Sequence, residues 1–150
     1  MHDDHWQINA CPVNGPAIDA HGRGVVVAWM TAKDEEGRAF AAFSSDAGVT
    51  FGTPIRLDDV GSLGRVGVAM LDDGSAVASW IEFADGRAQF KIRRIAPSGA
   101  KGAAQSVAGV SAARTSGQPR VVRRGGELLL AWSETSDGRS AVRTAVASFR

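Results

Sequence analysis

A unit of about 51 residues recurs three times along this chain, and a repeat of that length restricts the fold more than any other property of the sequence. The copies read GVVVAWMTAKDEEGRAFAAF, GSAVASWIEFADGRAQFKI and GELLLAWSETSDGRSAVRTAV. Their tryptophans fall at Trp29, Trp80 and Trp132, and a Gly-Arg pair follows each one, at Gly37-Arg38, Gly86-Arg87 and Gly138-Arg139. A period of this size, with several short apolar-alternating runs per copy, marks one blade of a β-propeller. Propellers close with roughly four to eight blades, so three copies leave a ring open.

Alternation and turn residues place the strands of each blade. Blade 1, over about 15–57, holds strands at 16–20, 25–32, 38–45 and 54–57. Blade 2, over about 64–107, holds 65–71, 76–83, 87–95 and 104–107, with Asp72-Asp73-Gly74 as a tight hairpin turn between its first two strands. Blade 3, over about 117–149, holds 118–123, 127–134 and 143–149 and lacks a fourth strand. The missing strand has a candidate in His5-Trp6-Gln7-Ile8, which alternates ahead of the first blade. An unpaired strand and an open sheet edge are both aggregation hazards unless they meet. The expected assembly is therefore a homodimer: two half-propellers forming a six-bladed ring, with each 5–8 strand completing the partner's third blade.

Charge fits that arrangement. Residues 1–75 carry eleven acidic and five basic residues, a balance of −6, while residues 76–150 carry five acidic and twelve basic, a balance of +7. In a two-fold ring the acidic first blade of one copy would abut the basic third blade of the other, and complementary potentials fix register. The basic half does not suggest nucleic acid. Arg120-Val121-Val122-Arg123-Arg124 has no interleaved aromatics on which bases could stack and runs into a Gly-Gly turn.

Eighteen glycines and the absence of long helical periodicity point to an all-β chain, and a mean hydropathy of −0.08 matches a globular one. No apolar run approaches the ~18 residues of a membrane helix. The polar, acidic start MHDDHWQINAC does not read as a signal peptide, and none is expected in this stretch. As written the chain suits the cell interior; as part of a longer protein it would suit the periplasm or the exterior. The single cysteine, Cys11, fits a reduced compartment. His2-Asp3-Asp4-His5 reads as a lead-in segment rather than a metal site, since a real site needs ligands on a rigid frame. Asp34-Glu35-Glu36 reads as a solvated turn. No Gly-rich stretch has phosphate-loop spacing, so no cofactor is expected.

One motif carries a family resemblance. Ser44-Ser45-Asp46-Ala47-Gly48-Val49-Thr50-Phe51 matches the Asp-box pattern Ser-x-Asp-x-Gly-x-Thr-aromatic at Ser44, Asp46, Gly48, Thr50 and Phe51. The chain thus resembles the sialidase/BNR-repeat superfamily, whose commonest architecture is a six-bladed propeller. The equivalent stretch of blade 2, APSGAKGAAQSV, is degenerate. The resemblance implies a structural role for the box, away from any active site. An Asp at the start of a tight turn accepts backbone N–H groups further on, Gly48 takes a positive φ and Phe51 packs beneath the turn. The three tryptophans read as core.

The resemblance also implies a tyrosine nucleophile, an Asp acid/base and three arginines gripping a substrate carboxylate. This chain has no tyrosine, and Thr53-Pro54-Ile55-Arg56 does not match the motif that carries the first arginine. A non-catalytic binding module is the leading expectation; the rival is a sialidase-like glycoside hydrolase, which needs two carboxylates at a set separation, with its site shared between subunits or with this chain as a piece of a longer secreted protein. Propellers bind ligands at one mouth of the channel, among the D-to-A loops. Asn14, Asp58, Asp59, Arg65 and Arg120 are best placed there, and guanidinium groups suit a glycan carboxylate or a small anion. The bland alternative makes Asp58 and Asp59 loop scaffolding for those arginines.

Overall fold

The computed structural model of the chain describes residues 5–8, 14–136 and 138–148. Among them every long element is a strand, and the helical content is two single 3-10 turns, Lys33–Glu35 and Arg114–Ser116. Blade 1 is the sheet β1 (Ala17–His21), β2 (Gly24–Thr31), β3 (Arg38–Ser44) and β4 (Ile55–Arg56), paired in that order. Blade 2 is β5 (Ser62–Met70), β6 (Ala76–Ala84), β7 (Arg87–Ile95) and β8 (Gln105–Val110). Blade 3 is β9 (Arg120–Arg124), β10 (Glu127–Ser136) and β11 (Arg139–Ser148), with β11 as its outer edge. All the strand pairs are antiparallel hairpin neighbours, as short connecting turns require.

Each strand expected within the three blades is present. Boundaries shift by up to four residues, and two of the shifts have a visible cause. The first strand of blade 2 begins at Ser62 instead of 65, because its register shifts twice between Ser62 and Gly67 and the extra residues bulge out. The last strand begins at Arg139 instead of 143, because β10 runs on to Ser136 and its partner follows it. Residues 5–8 form no strand within the chain. Cys11 and His2 to Asp4 lie outside the described residues.

The blades pack face to face, and the period of two along each strand decides which side chains meet. One face of blade 1 (Val26, Ala28, Ala41, Phe43, Leu57) meets one face of blade 2 (Val66, Val68, Ala78, Trp80, Ile95) in a single apolar cluster. The opposite face of blade 2 (Val77, Phe90, Ile92) meets Val121, Leu128 and Leu130 of blade 3. The innermost strands β1, β5 and β9 converge, and the Oδ2 of Asp19 on β1 accepts the N–H of Met70 on β5 at 2.7 Å. Of the three repeated tryptophans only Trp80 is fully enclosed; Trp29 and Trp132 are half-buried. The reason is positional. Trp80 lies between two blades, while Trp29 stacks on Phe40 (centroids 6.0 Å apart) on a face that no described residue of the chain covers with another blade.

The 44–51 turn makes the hydrogen bonds its residue types allow. Asp46 Oδ1 accepts the Ser44 hydroxyl (2.7 Å) and the Thr50 N–H (2.9 Å), and Oδ2 accepts the Thr50 hydroxyl (2.6 Å). The Ser44 oxygen in turn accepts the N–H of Gly48 at 2.9 Å. Gly48 has φ +86°, and the tip of the Phe51 ring lies 4.0 Å from where a β-carbon on Gly48 would stand. Donation from Ser44, then from Thr50, holds the Asp46 carboxyl far below the usual carboxylate range. The turn is built around the Asp46 carboxylate.

Candidate functional site

The mouth of the blade array on the side of the D-to-A loops is organised by residues one repeat apart. Asn14, Arg65 and Ser116 stand at successive spacings of 51 residues. Asn14 Oδ1 accepts the Arg65 N–H at 3.0 Å, and Arg65 Nη1 donates to Ser116 Oγ at 2.6 Å. Arg65 Nη2 donates to the carbonyl oxygens of Ala113 (2.8 Å) and Ala112 (3.4 Å). One residue, through its backbone N–H and its side chain, thus ties the lead-in to blade 1, the first strand of blade 2 and the loop before blade 3.

The bulge in β5 makes this possible. Gly64 and Arg65 have φ of +78° and +53°, the left-handed region that a non-glycine residue enters only when its surroundings hold it there. A β-carbon on Gly64 would lie 2.6 Å from the Asn14 side chain, so the position admits glycine alone. The bulge turns Arg65 inward, where it is 7% exposed. Among the described residues all its acceptors are neutral, and no carboxylate pairs with it. Desolvation lowers its pKa, yet a guanidinium remains charged at any ordinary pH. Among the described residues this buried positive charge therefore has no counter-ion. Arg120, at the start of the neighbouring innermost strand β9, is exposed, and its side chain makes no hydrogen bond or ion pair among the described residues.

The two aspartates of the expected site are held differently. Asp58 is buried; its Oδ1 accepts the Ala39 N–H at 2.7 Å, and its Oδ2 accepts Arg56 Nη2 at 2.8 Å and Nε at 3.2 Å. Asp59 Oδ2 accepts Arg93 Nη2 at 2.6 Å. The arginines that pair with these aspartates are thus Arg56 and Arg93 rather than Arg65 and Arg120. The structure brings Asn14 and Arg65 into contact and leaves Asp58 and Asp59 in a separate cluster between blades 1 and 2.

That cluster contains two residues the sequence reading passed over. Glu82 is 2% exposed and accepts the Trp80 indole N–H (3.2 Å), the Asp59 N–H (3.0 Å) and the Lys91 ammonium. Arg93 Nη1 donates to the Leu57 carbonyl at 2.6 Å, and the guanidinium lies 5.6 Å from the Trp80 ring centroid, a cation–π contact. The available signal was a charge on the buried side of each strand: Glu82 follows Trp80 by two in AVASWIEF, and Arg93 alternates with apolar residues in β7. The Arg93 hydrogen bond holds the Asp59 carboxyl below its usual range. Burial pushes Glu82 up, but hydrogen bonds led by Lys91 outweigh it and leave the carboxyl below its ordinary value. Both groups are kept ionised.

With this geometry in view, the comparisons place the architecture. No protein-family model matches the chain, and no curated protein matches it in sequence. Solved structures do match. A thermostable family-43 glycoside hydrolase superposes with a TM-score of 0.58 at 13% identity, over 88% of this chain and 49% of that one. A xylan β-1,4-xylosidase from Bacillus halodurans C-125 superposes with a TM-score of 0.60 at 14% identity, over 88% of this chain and 27% of that one. The likeness is one of fold. These neighbours are five-bladed β-propellers and not sialidases, so the resemblance read from the 44–51 motif is supported as far as a propeller-like fold and no further. The chain spans about half the length of the first and about a quarter of the second.

Proposed function

We propose that this chain is a non-catalytic, glycan-related propeller module that binds an anionic group, such as a sugar carboxylate, at the D-to-A mouth. The observation that carries the reading is Arg65, a buried guanidinium whose partners among the described residues are all neutral, with Arg120, whose side chain none of those residues engages, on the next inner strand. A buried charge lacking a counter-ion is costly, and a carboxylate ligand would supply one. The link to glycans rests on the neighbours, a family-43 glycoside hydrolase and a xylan β-1,4-xylosidase. The sialidase-like resemblance of residues 44–51 points the same way.

Against catalysis by this chain alone stands the state of its carboxylates. Glycoside hydrolysis needs one carboxyl held protonated near neutrality to act as acid. Asp59 and Glu82 are held ionised by cationic partners, and Asp58 has both oxygens occupied. A hydrolase remains the second reading, because both neighbours are hydrolases; its acid would then come from outside this cluster.

Calorimetric titration with sialyllactose and with lactose tests the proposal. The expected result is binding of sialyllactose that weakens with salt, weakens on the order of 10-fold in Arg120→Ala, and is absent for lactose. Equal binding of both sugars, or an Arg120→Ala protein that binds as well as the parent, would overturn it. Turnover of a fluorogenic sialoside that disappears in Asp59→Asn would overturn the non-catalytic role.

A further inference from the structure

The two sheet faces at the ends of the blade array have the same make-up as the faces already packed inside it. Trp80 faces blade 1 across the first blade interface, within the cluster that includes Val26 and Phe43. Trp132 faces blade 2 across the second, its ring 6.1 Å from that of Phe90. Trp29 is the same residue one repeat earlier, and the sheet pairing puts it with Phe40, Val27 and Ile18 on the side of blade 1 that points away from blade 2. Ile18 on that side is 69% exposed.

The far side of blade 3 completes the pattern. Leu129 occupies the repeat position of Val26 and Val77, both of which are fully buried against the following blade. Cross-strand pairing puts Leu129 beside Val122 and Val146, and Ser133 beside Val142. Val122, Val142 and Val146 are 54%, 74% and 57% exposed. Three valines this exposed on one sheet face form an apolar patch of the kind that marks an interaction site.

We infer that the outer face of blade 3 and the outer face of blade 1 are the two halves of one further blade interface, closed by a second copy of this chain. Blade 3 of each copy packs on blade 1 of the other, just as blade 1 packs on blade 2 within a copy. Two such contacts related by a two-fold axis bring six blades together, within the range in which propellers close. Residues 15–57 carry five acidic and four basic residues and residues 117–149 carry three acidic and five basic, so the two blades that meet have balances of opposite sign, −1 and +2. The contact is between faces and needs no strand from residues 5–8. It is also independent of the ligand reading, since it uses no residue of the mouth.

Light scattering on the 150-residue chain at about 100 μM, with a matched dilution series, tests the inference. The expected species is a dimer of roughly twice 15.7 kDa. Val142→Asp with Val146→Asp buries two unpaired charges in the contact and weakens dimerisation on the order of 100-fold or more. Because both residues are exposed in the single chain, the melting temperature of the monomer stays put. Ile18→Asp with Trp29→Ser damages the other face and does the same to assembly. Mixing the two double variants restores one intact contact and returns heterodimers. A monodisperse monomer, open-ended polymers, dimers indifferent to the valine changes, or a mixture that fails to pair would each overturn the proposal.

Discussion

The side-chain oxygen of Asn14 accepts the backbone N–H of Arg65 at 3.0 Å, across a sequence separation of one whole repeat. That bond holds Arg65 in a left-handed conformation at a bulge, and the bulge aims its guanidinium at the loop before blade 3. Local strain, a buried cation and the joining of three segments thus depend on one contact.

Gly64→Ala should be among the more damaging small substitutions in the chain. The new methyl meets the Asn14 side chain at 2.6 Å and the residue must keep φ +78°. Together these cost on the order of 2 kcal/mol, a fall of about 4–8 °C in melting temperature for a chain of this size. Adding Asn14→Ala removes the collision but not the strain. Calorimetry on the double variant should therefore show partial, not complete, recovery.

Glu82→Gln should destabilise by about 3 kcal/mol, because it leaves the Lys91 ammonium without its carboxylate in a largely buried setting. Lys91→Met in the same chain should return part of that loss, and a double-mutant cycle by urea unfolding measures the coupling. If Glu82→Gln alone unfolds at the parent's midpoint, the pair contributes nothing.

The Asp46 turn predicts a pH dependence with a definite sign. Its carboxyl titrates far below the ordinary value of about 3.9, first through Ser44 and then through Thr50. A depressed folded pKa adds stability above the unfolded value, and that stability drains away as pH falls below it. Asp46→Asn should melt below the parent at pH 7, and the gap should narrow once pH drops under about 4. A gap that widens in acid would contradict the assignment.

The three tryptophans should separate by position. Trp80→Ala empties a fully enclosed site and should cost about 3–5 kcal/mol. Trp29→Ala removes a half-buried ring from an outer face, so urea unfolding of the monomer should register a smaller loss. Equal losses would mean that the outer face of blade 1 is as well covered as the interior.

Strands and blades were legible because they depend on local alternation and on turns such as Asp72-Asp73-Gly74, and every strand expected within a blade is found. The mouth was legible only in outline. Asn14 and Arg65 do meet, and the tight turn around Asp46 behaves as its residue types dictate. The partners of Asp58 and Asp59 were not legible: Arg93 is 34 residues from Asp59 and reaches it through the packing of one blade on the next. Glu82 was missed for the same reason, since its three donors come from β6, β7 and the loop after blade 1. Pairings set between sheets leave no periodic trace in a single sequence.

Asn14, Arg65 and Ser116 occupy equivalent stations of three copies, yet one presents an amide, one a cation and one a hydroxyl. A rotationally repeated scaffold offers a ligand the same view from every blade; this chain has lost that sameness at its mouth. A group bound there, as proposed, would meet three unlike neighbours and be given a single way round.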